Sequence, residues 1–325
     1  MPMLRLVPLA LVVGLIPILS AADDPAKVSD YKTVGELLDA NDRRLIRELS
    51  DYVASHPKAD DVDRAYMNLF ETVIEHDWFV DNEALARKYL ADRPEGAVRP
   101  LAQIVATMGK AQGGDFAAAL VDYQNLMKGL SGIEQEEFAS EFADSLASAA
   151  SVAGEYDISK RVYETLLERF GDNPELVAKV KDDLNRIAMV GKPAPSVIVR
   201  DRTNTTFRLT DYKGKYVLVD FWATWCAPCV AELPNLQNAY KTYHEKGFEI
   251  LSVSLDETTG PLNDFLKTHA MPWRQVHNPT CGGDVVEAFG VNTIPATFLI
   301  GPDGNVIRLE LRGPALQKAL ASLIK

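Results

Sequence analysis

The spacing of the hydrophobic positions changes near residue 190 of this 325-residue chain. Upstream, apolar residues recur every three or four positions, which is the period of an amphipathic helix. Downstream, short runs rich in β-branched and aromatic residues alternate with helical stretches, as strands and helices do in α/β proteins. The pattern therefore predicts an all-α domain over residues 23–189 and an α/β domain over residues 190–325.

The helical region contains nine candidate helices separated by turn residues. They are 31–40, 43–55, 61–75, 82–91, 100–108, 116–127, 135–152, 156–170 and 174–189. Two turns of similar sequence lie 40 residues apart, Gly114-Asp115-Phe116 and Gly154-Glu155-Tyr156. Such a repeat is typical of stacked helix pairs, and the second turn with its helix resembles half of a tetratricopeptide repeat with a longer period. We expect a helical-repeat domain whose surface is a candidate docking site for partners.

The α/β region follows a helix-breaking segment, Gly191-Lys192-Pro193-Ala194-Pro195. Its pattern predicts the order strand, strand, strand, helix, strand, helix, strand, helix, strand, strand, helix. The apolar run 216–223 is the expected central strand, and a helix is expected over 228–246. The segments 197–209 and 297–311 surround turn residues and are predicted hairpins. This order is typical of a mixed central sheet flanked by helices.

The first 22 residues have the pattern of a secretory signal peptide. Arg5 precedes an apolar run of 14 residues, Leu6–Leu19, and small residues follow at 20–22. A membrane-spanning helix needs about 20 apolar residues, so the run is short for a span. We expect export to the periplasm or cell envelope. The alternative is an uncleaved anchor, and only then do we expect membrane association.

Net charge and cysteine content restrict the classes of partner and of metal site that fit this sequence. The net charge of −12 at pH 7 gives no support to nucleic acid or an anionic membrane surface as a partner. Three cysteines are too few for a disulfide framework, and a zinc site would need two further ligands beside the Cys-x-x-Cys pair. Cys281 has no adjacent cysteine and the five histidines lack ligand spacing. We therefore expect no metal.

The central strand runs directly into the cysteine pair. Residues 217–229 read Val-Leu-Val-Asp-Phe-Trp-Ala-Thr-Trp-Cys-Ala-Pro-Cys, and a helical pattern follows. Cys226 is thereby placed at a helix N-terminus, where unpaired N–H groups and the helix dipole stabilise an anion and lower a thiol pKa. Cys229 lies one turn further along and can close a disulfide with Cys226. The sequence predicts a redox-active thiol pair.

The same stretch resembles the active site of thioredoxins, in which Trp-Cys-x-x-Cys follows a Val-Asp-Phe-Trp-Ala strand. The Gly-x-x-Ala-Pro segment at 191–195 is similar to the opening of redoxin and TlpA-like domains. The resemblance implies a thioredoxin-like fold and an exported thiol–disulfide oxidoreductase without a cofactor. Cys226 is then the nucleophile and the more exposed cysteine, and Cys229 is the resolving thiol that closes the Cys226–Cys229 disulfide.

The resemblance also implies the substrate-binding residues. A cis peptide bond is expected at Ile294-Pro295, facing the cysteine pair, because cis bonds are largely confined to proline. The backbone of Ile294 is then free to pair with an extended substrate, and Pro295 keeps metal away from the thiols. Trp222 and Trp225 are expected to pack around the site and shield the disulfide.

Two carboxylates are candidates for proton transfer to and from the resolving thiol. Asp220 stands at the position of the buried acid of thioredoxins, where burial raises a carboxyl pKa. Glu232 lies three residues after Cys229, hence on the same helical face, and matches the acid of TlpA-like oxidoreductases. Many of those lack the strand aspartate, whereas this chain has both acids. Glu232 is slightly favoured and the choice stays open.

The leading hypothesis is an enzyme that reduces protein disulfides in the cell envelope. Its partners are then a disulfide-containing protein and a thiol electron donor. A peroxiredoxin is an alternative, although Thr224 lies only two residues before Cys226 and the upstream proline of a Pro-x-x-x-Thr-x-x-Cys loop is absent. Another is a non-catalytic adaptor of the tetratricopeptide-like kind. Cys281 is a candidate auxiliary resolving thiol, although a cysteine unrelated to turnover is the favoured interpretation.

Overall fold

The computed structural model describes residues 31–130 and 132–325. The signal peptide predicted over residues 1–22 lies outside this part of the chain. Within these residues, no helix has both the length and the hydropathy of a membrane span.

Eight helices precede the first strand in the described part of the chain. They are α1 (Val34–Ser55), α2 (Val62–Glu75), α3 (Phe79–Asp92), α4 (Arg99–Gln112), α5 (Phe116–Gly129), α6 (Ile133–Ala153), α7 (Tyr156–Phe170) and α8 (Pro174–Ile187). The all-α prediction is confirmed. The two helices predicted at 31–40 and 43–55 are wrong as separate elements, because no glycine or proline interrupts the chain between Gly35 and Pro57 and α1 runs through.

The two similar turns, at Gly114 and Gly154, have the same backbone geometry. Gly114 and Gly154 adopt left-handed φ angles of 92° and 90°. The N–H of Asp115 donates to the carbonyl of Lys110 at 2.9 Å, and the N–H of Glu155 donates to that of Ala150 at 2.8 Å. This is the glycine cap that commonly ends a helix. The turns therefore repeat, while the tetratricopeptide-like stacking stays a prediction.

The chain divides into two compact units, the first ending at Ala149 and the second running from Ala150 to Lys325. In the first unit α1 packs on α2, and α4 packs on α2, α3 and α5. Its core is formed by large, fully buried side chains, among them Phe70, Tyr89 and Met108. The second unit contains α7 and α8 as well as the α/β region. The predicted domain boundary at 189–190 lies just after α8, the last helix before the first strand. That an independent domain begins there stays a prediction.

The α/β region has the predicted order of elements. It consists of β1 (Ile198–Arg200), β2 (Thr206–Arg208), β3 (Tyr216–Trp222), α9 (Ala227–Tyr243), β4 (Phe248–Ser254), α10 (Thr259–Thr268), β5 (Arg274–His277), α11 (Val285–Ala288), β6 (Ala296–Ile300), β7 (Val306–Leu309) and α12 (Gly313–Leu323). β1 and β2 form an antiparallel hairpin, and the other strands form one sheet in the order β5-β4-β3-β6-β7. β3, β4 and β5 are parallel, whereas β6 and β7 are antiparallel to their neighbours. The thioredoxin-like fold with a mixed sheet is confirmed.

The central strand β3 has side chains on both faces of the sheet, and both faces are buried. On one face the ring of Phe221 lies 5.5 Å from that of Phe289 and 5.8 Å from that of Phe298, between centroids. Aromatic pairs of this kind contribute about 0.5–1.5 kcal/mol beyond their buried area. Leu218 and Trp222 lie in clusters on the other face. Because side chains alternate along a strand, Asp220 shares that second face.

The segment between α8 and β1 covers the edge of the sheet. The N–H of Gly191 donates to the carbonyl of Val306 at 2.8 Å, and the N–H of Val306 donates to the carbonyl of Lys192 at 2.9 Å. The hydroxyl oxygen of Tyr156, at the start of α7, accepts a hydrogen bond from the N–H of Leu309 at 3.0 Å. These bonds satisfy polar groups of the edge strand β7 that would otherwise be open to pairing with another chain.

Candidate functional site

The cysteine pair lies at the start of α9, directly after β3. Cys226 is the N-cap residue, and Pro228 falls in the first turn, where its missing N–H costs no helical hydrogen bond. Cys226 and Cys229 form a disulfide with an S–S distance of 1.97 Å. The N–H of Cys229 points at the Sγ atom of Cys226 at 3.3 Å. The nucleophile predicted from the sequence thus has a backbone donor aimed at its sulfur.

The two cysteines are equally buried. Cys226 is 5% exposed and Cys229 is 6% exposed. The prediction that Cys226 is the more exposed of the two is therefore wrong for the disulfide form. Both belong to one apolar cluster with Trp222, Ala223 and Leu262 of α10.

The loop before β6 lies against the same cluster. The Ile294–Pro295 peptide bond is cis, which confirms that prediction. Ile294 packs against the cluster that contains both cysteines. Pro295 precedes Ala296, which pairs with Phe221 in the antiparallel register of β3 and β6. The structure therefore brings the cis-proline loop and the cysteine pair to the same end of the sheet.

The two tryptophans occupy different environments. Trp222 is buried in the cysteine cluster, with its ring centroid 5.3 Å from that of Phe265 in α10. Trp225 is 65% exposed. Trp222 packs in the same cluster as both cysteines, as predicted, whereas the shielding predicted for Trp225 stays a prediction. Trp222 is the last residue of β3 and faces inward, whereas Trp225 lies in the turn beyond the strand and faces solvent.

Asp220 is buried beneath the site, and its carboxylate takes part in a chain of hydrogen bonds. Its Oδ2 atom accepts a bond from the hydroxyl of Ser252 at 2.9 Å, and Ser252 accepts one from the indole N–H of Trp273 at 2.8 Å. Burial, which disfavours the charged form, raises the pKa of Asp220 to about 7. The bond from Ser252 and the positive charge of Arg312 oppose this rise, and the negative charge of Glu232 adds to it. Asp220 therefore changes charge near neutral pH.

Glu232 is held by two hydrogen-bond donors. Its Oε1 atom accepts a bond of 2.6 Å from the N–H of Gly313 at the start of α12, and its Oε2 atom accepts one of 3.0 Å from the side-chain amide of Asn235. A carboxylate bonded through both oxygens is fixed in orientation. Its charge acts on Asp220, so the structure brings the two predicted acids together.

A third carboxylate, Asp256, holds the loop before Cys226 and is not among the residues predicted from the sequence. Asp256 is buried, and its Oδ1 atom accepts bonds from the hydroxyl of Thr224 at 2.6 Å and from its N–H at 3.2 Å. The carbonyl of Asp256 in turn contacts the imidazole Nε2 of His277 at 2.7 Å. All three residues follow or end a parallel strand, and the carboxyl ends of parallel strands meet at one edge of a sheet. Applied to the residues that follow the predicted strands, that rule could have located Asp256 from the sequence.

Cys281 lies apart from the cysteine pair. It is buried in the core cluster on the opposite face of the sheet, among residues such as Val199 and Val285. Its thiol donates to the carbonyl of Gly283 at 2.8 Å. The structure therefore does not bring Cys281 to the site. Across residues 31–130 and 132–325, no group of three or more His, Cys, Asp or Glu side chains is arranged to hold a metal ion.

Known proteins identify the family of this second unit. Residues 190–309 match the AhpC/TSA family. Over 136 residues the chain is 36% identical to thiol-disulfide oxidoreductase ResA of Bacillus thuringiensis subsp. konkukian, an alignment that covers 42% of this chain and 77% of that protein. The chain belongs to the redoxin branch of the thioredoxin superfamily. This redoxin is a thiol–disulfide oxidoreductase, as the sequence predicted.

Two further proteins are similar to this redoxin over the same region. ResA of Bacillus subtilis is 34% identical over 119 residues, which are 37% of this chain and 65% of that protein. The solved thioredoxin domain of a thiol-disulfide oxidoreductase from Bacteroides vulgatus is 31% identical, with a TM-score of 0.39, and the match covers 42% of this chain and 98% of that domain.

We predict that the Asp256 carboxylate is needed to hold the loop before Cys226. Asp256→Ala leaves the half-buried N–H and hydroxyl of Thr224 and the buried hydroxyl of Ser254 without their acceptor, and the loss of a partner by a buried polar group costs about 1–3 kcal/mol. We expect the free energy of unfolding, measured by urea titration, to fall by about 2–4 kcal/mol. Glu257→Ala, which removes the exposed neighbouring carboxylate, is the matched control, with a change within about 0.5 kcal/mol. Equal effects of the two substitutions would contradict the assignment.

Proposed function

We propose that this redoxin reduces disulfide bonds of protein substrates in the cell envelope. The observation that carries the proposal is the arrangement of a Cys226–Cys229 pair at the N-terminus of α9 beside a cis-proline loop. In the described part of the chain, the N–H and carbonyl groups of Ile294 make no hydrogen bond to another backbone group. They are therefore available to an extended polypeptide that adds to the loop as a strand does to a sheet edge.

The proposed reaction begins with the reduced enzyme. The Cys226 thiolate attacks one sulfur of the substrate disulfide and forms a mixed disulfide, and the other substrate sulfur leaves as a thiolate that takes up a proton. Cys229, once deprotonated, attacks the Sγ atom of Cys226 and expels the second substrate thiolate. The substrate disulfide has then gained two electrons, the enzyme pair has been oxidised to the Cys226–Cys229 disulfide, and a thiol donor restores the dithiol.

The helix start and the two carboxylates support these steps. The N–H of Cys229 is placed to donate to a thiolate at Cys226, and the N-terminus of α9 favours negative charge there. We infer that Asp220 accepts the proton of Cys229, because a pKa of about 7 suits a base that works near neutral pH. Glu232, with both oxygens bonded, then acts through its charge on Asp220. This assignment reverses the slight preference for Glu232 drawn from the sequence.

Substrate docking involves exposed surface on both units in this proposal. Trp225 offers a large exposed ring next to Cys226, and aromatic side chains of this kind are enriched at interaction sites. The helical region upstream is proposed to dock the partner, as its predicted repeats suggest. The cell-envelope location rests on the signal-peptide pattern of residues 1–22 and is part of the proposal.

The function is tested by reduction of insulin with dithiothreitol as electron donor. We expect the full chain to accelerate insulin reduction and Cys226→Ser to abolish the acceleration, because the attacking sulfur is lost. Peroxide consumption is measured beside it, and we expect none above the rate of dithiothreitol alone. Peroxide turnover without insulin reduction would favour the peroxiredoxin alternative, and inactivity in both assays would favour the adaptor.

The same assay separates the docking proposal from the chemistry. A chain without residues 23–149 is compared with the full chain on insulin, on a small aromatic disulfide and on a folded protein disulfide. We expect the small disulfide to be reduced equally by both chains and the folded protein to be reduced more slowly by the shortened one. Equal rates on every substrate would remove the docking role of the helices.

The two carboxylates are distinguished by the pH dependence of Cys229 alkylation in the reduced enzyme. Asp220 is protonated below its pKa of about 7 and can accept the Cys229 proton only above it, so alkylation is expected to rise through that pH. Asp220→Asn removes this base and moves the rise to higher pH, because Cys229 must then lose its proton without that acceptor. Glu232→Gln removes a negative charge that raises the pKa of Asp220, so the rise moves to lower pH. An unchanged profile in Asp220→Asn would exclude Asp220 as the base.

A further inference from the structure

The short segment between β7 and α12, residues 310–312, is hydrogen-bonded to β6. The N–H of Glu310 donates to the carbonyl of Thr297 at 2.9 Å, and the hydroxyl of Thr297 donates to the carbonyl of Leu311 at 3.1 Å. Glu310 has a φ angle of 56°, in the left-handed region that residues other than glycine seldom adopt. Such conformations persist where the surrounding structure holds them, and they cluster at functional sites.

This segment and the first residue of α12 contact both the cis-proline loop and α9. The guanidinium Nη2 of Arg312 donates to the carbonyl of Pro295 at 3.0 Å, and it also pairs with the carboxylate of Glu310. The next residue, Gly313, donates its N–H to Glu232 on α9. Arg312 is therefore linked to the cis-proline loop by its own side chain and adjoins the residue that holds Glu232.

We propose that Arg312 is a positioning residue that fixes the cis-proline loop for pairing with extended protein substrates. A hydrogen bond from a charged donor is about twice as strong as a neutral one, and the donor itself is held by Glu310. The bonded carbonyl belongs to the residue directly after Ile294, so the bond restricts the backbone that receives the substrate. This role rests on the proposed function, because it requires a polypeptide substrate.

Loss of the bond between Arg312 and Pro295 is expected to affect polypeptide substrates and not small disulfides. A polypeptide pairs with the Ile294 backbone, whereas a small aromatic disulfide needs only access to the Cys226 sulfur. Loosening the loop therefore slows exchange with a protein and leaves the attack of Cys226 on a small disulfide almost unchanged. The charge of Arg312 on Asp220 bears on the later step at Cys229, not on this attack. A merely structural role for Arg312 would slow both reactions together.

The test compares Arg312→Met, Arg312→Lys and Arg308→Met in the full chain. Arg308 is the matched control, because its guanidinium donates to the adjacent carbonyl of Ile307, outside the cis-proline loop. Second-order rate constants are measured for the reduced enzymes with insulin and with 5,5′-dithiobis(2-nitrobenzoate), together with the midpoint of thermal unfolding.

We expect Arg312→Met to slow the reaction with insulin about tenfold and the reaction with the small disulfide less than about twofold, since the lost bond is charge-assisted. Arg312→Lys keeps a donor but loses the planar fork, and a loss of about threefold on insulin is expected. Arg308→Met is expected to match the wild type on both. An unchanged insulin rate in Arg312→Met, or equal losses on both substrates, would overturn the proposal.

Two further measurements keep the outcome decisive. If Arg312→Met does not fold, Glu310→Gln is used instead. It removes the ion pair that holds the guanidinium but keeps Arg312 in the chain. The rate with insulin must still fall selectively, by about two- to fourfold. If the wild type fails to reduce insulin, the proposed function is contradicted, and the role of Arg312 is tested in the reverse reaction. The oxidised enzymes are then reacted with a dithiol peptide and with dithiothreitol, and Arg312→Met must slow the peptide alone; a loss on neither or on both would overturn the proposal.

Discussion

The antiparallel register between β3 and β6 is the constraint on which the site depends. Because Phe221 pairs with Ala296, the end of β3 that leads into the cysteines lies beside the start of β6, where the cis Ile294–Pro295 bond stands. A shift of one residue would turn Asp220 to the opposite face of the sheet and move the proline away from the disulfide. The register is fixed by apolar side chains on both faces, above all by the Phe221 aromatic cluster.

The polar groups of the site lie among and around these apolar side chains. Asp220 lies among them, where burial makes its charge sensitive to neighbouring groups. Glu232 and Arg312 act on the pKa of Asp220 with opposite sign. Gly313, the first residue of α12, holds Glu232, and Arg312 directly precedes it. The last helix of the fold, far from the cysteines in sequence, thus contributes to the proton chemistry and to the substrate-binding loop.

Local patterns in the sequence were sufficient for the elements and for the family, but not for the contacts between elements. The period of the apolar residues located the strands and most helices, and the Trp-Cys-x-x-Cys stretch located the reactive pair. The break predicted within α1 was wrong because polar residues alone do not end a helix when glycine and proline are absent. The exposure of Cys226 and of Trp225 depends on what packs over each side chain, which spacing along one element does not report.

The residues missed altogether were those whose partners are distant in the chain. Asp256 and Arg312 each bond to a loop that is brought near by the sheet, at Thr224 and Pro295. The central claim is that Cys226 forms mixed disulfides with protein substrates, and trapping with Cys229→Ser in intact cells tests it most directly. The account predicts covalent complexes that dithiothreitol dissolves, linked through Cys226 and absent from the Cys226→Ser/Cys229→Ser double variant. Complexes linked through Cys281, or no complexes at all, would contradict it.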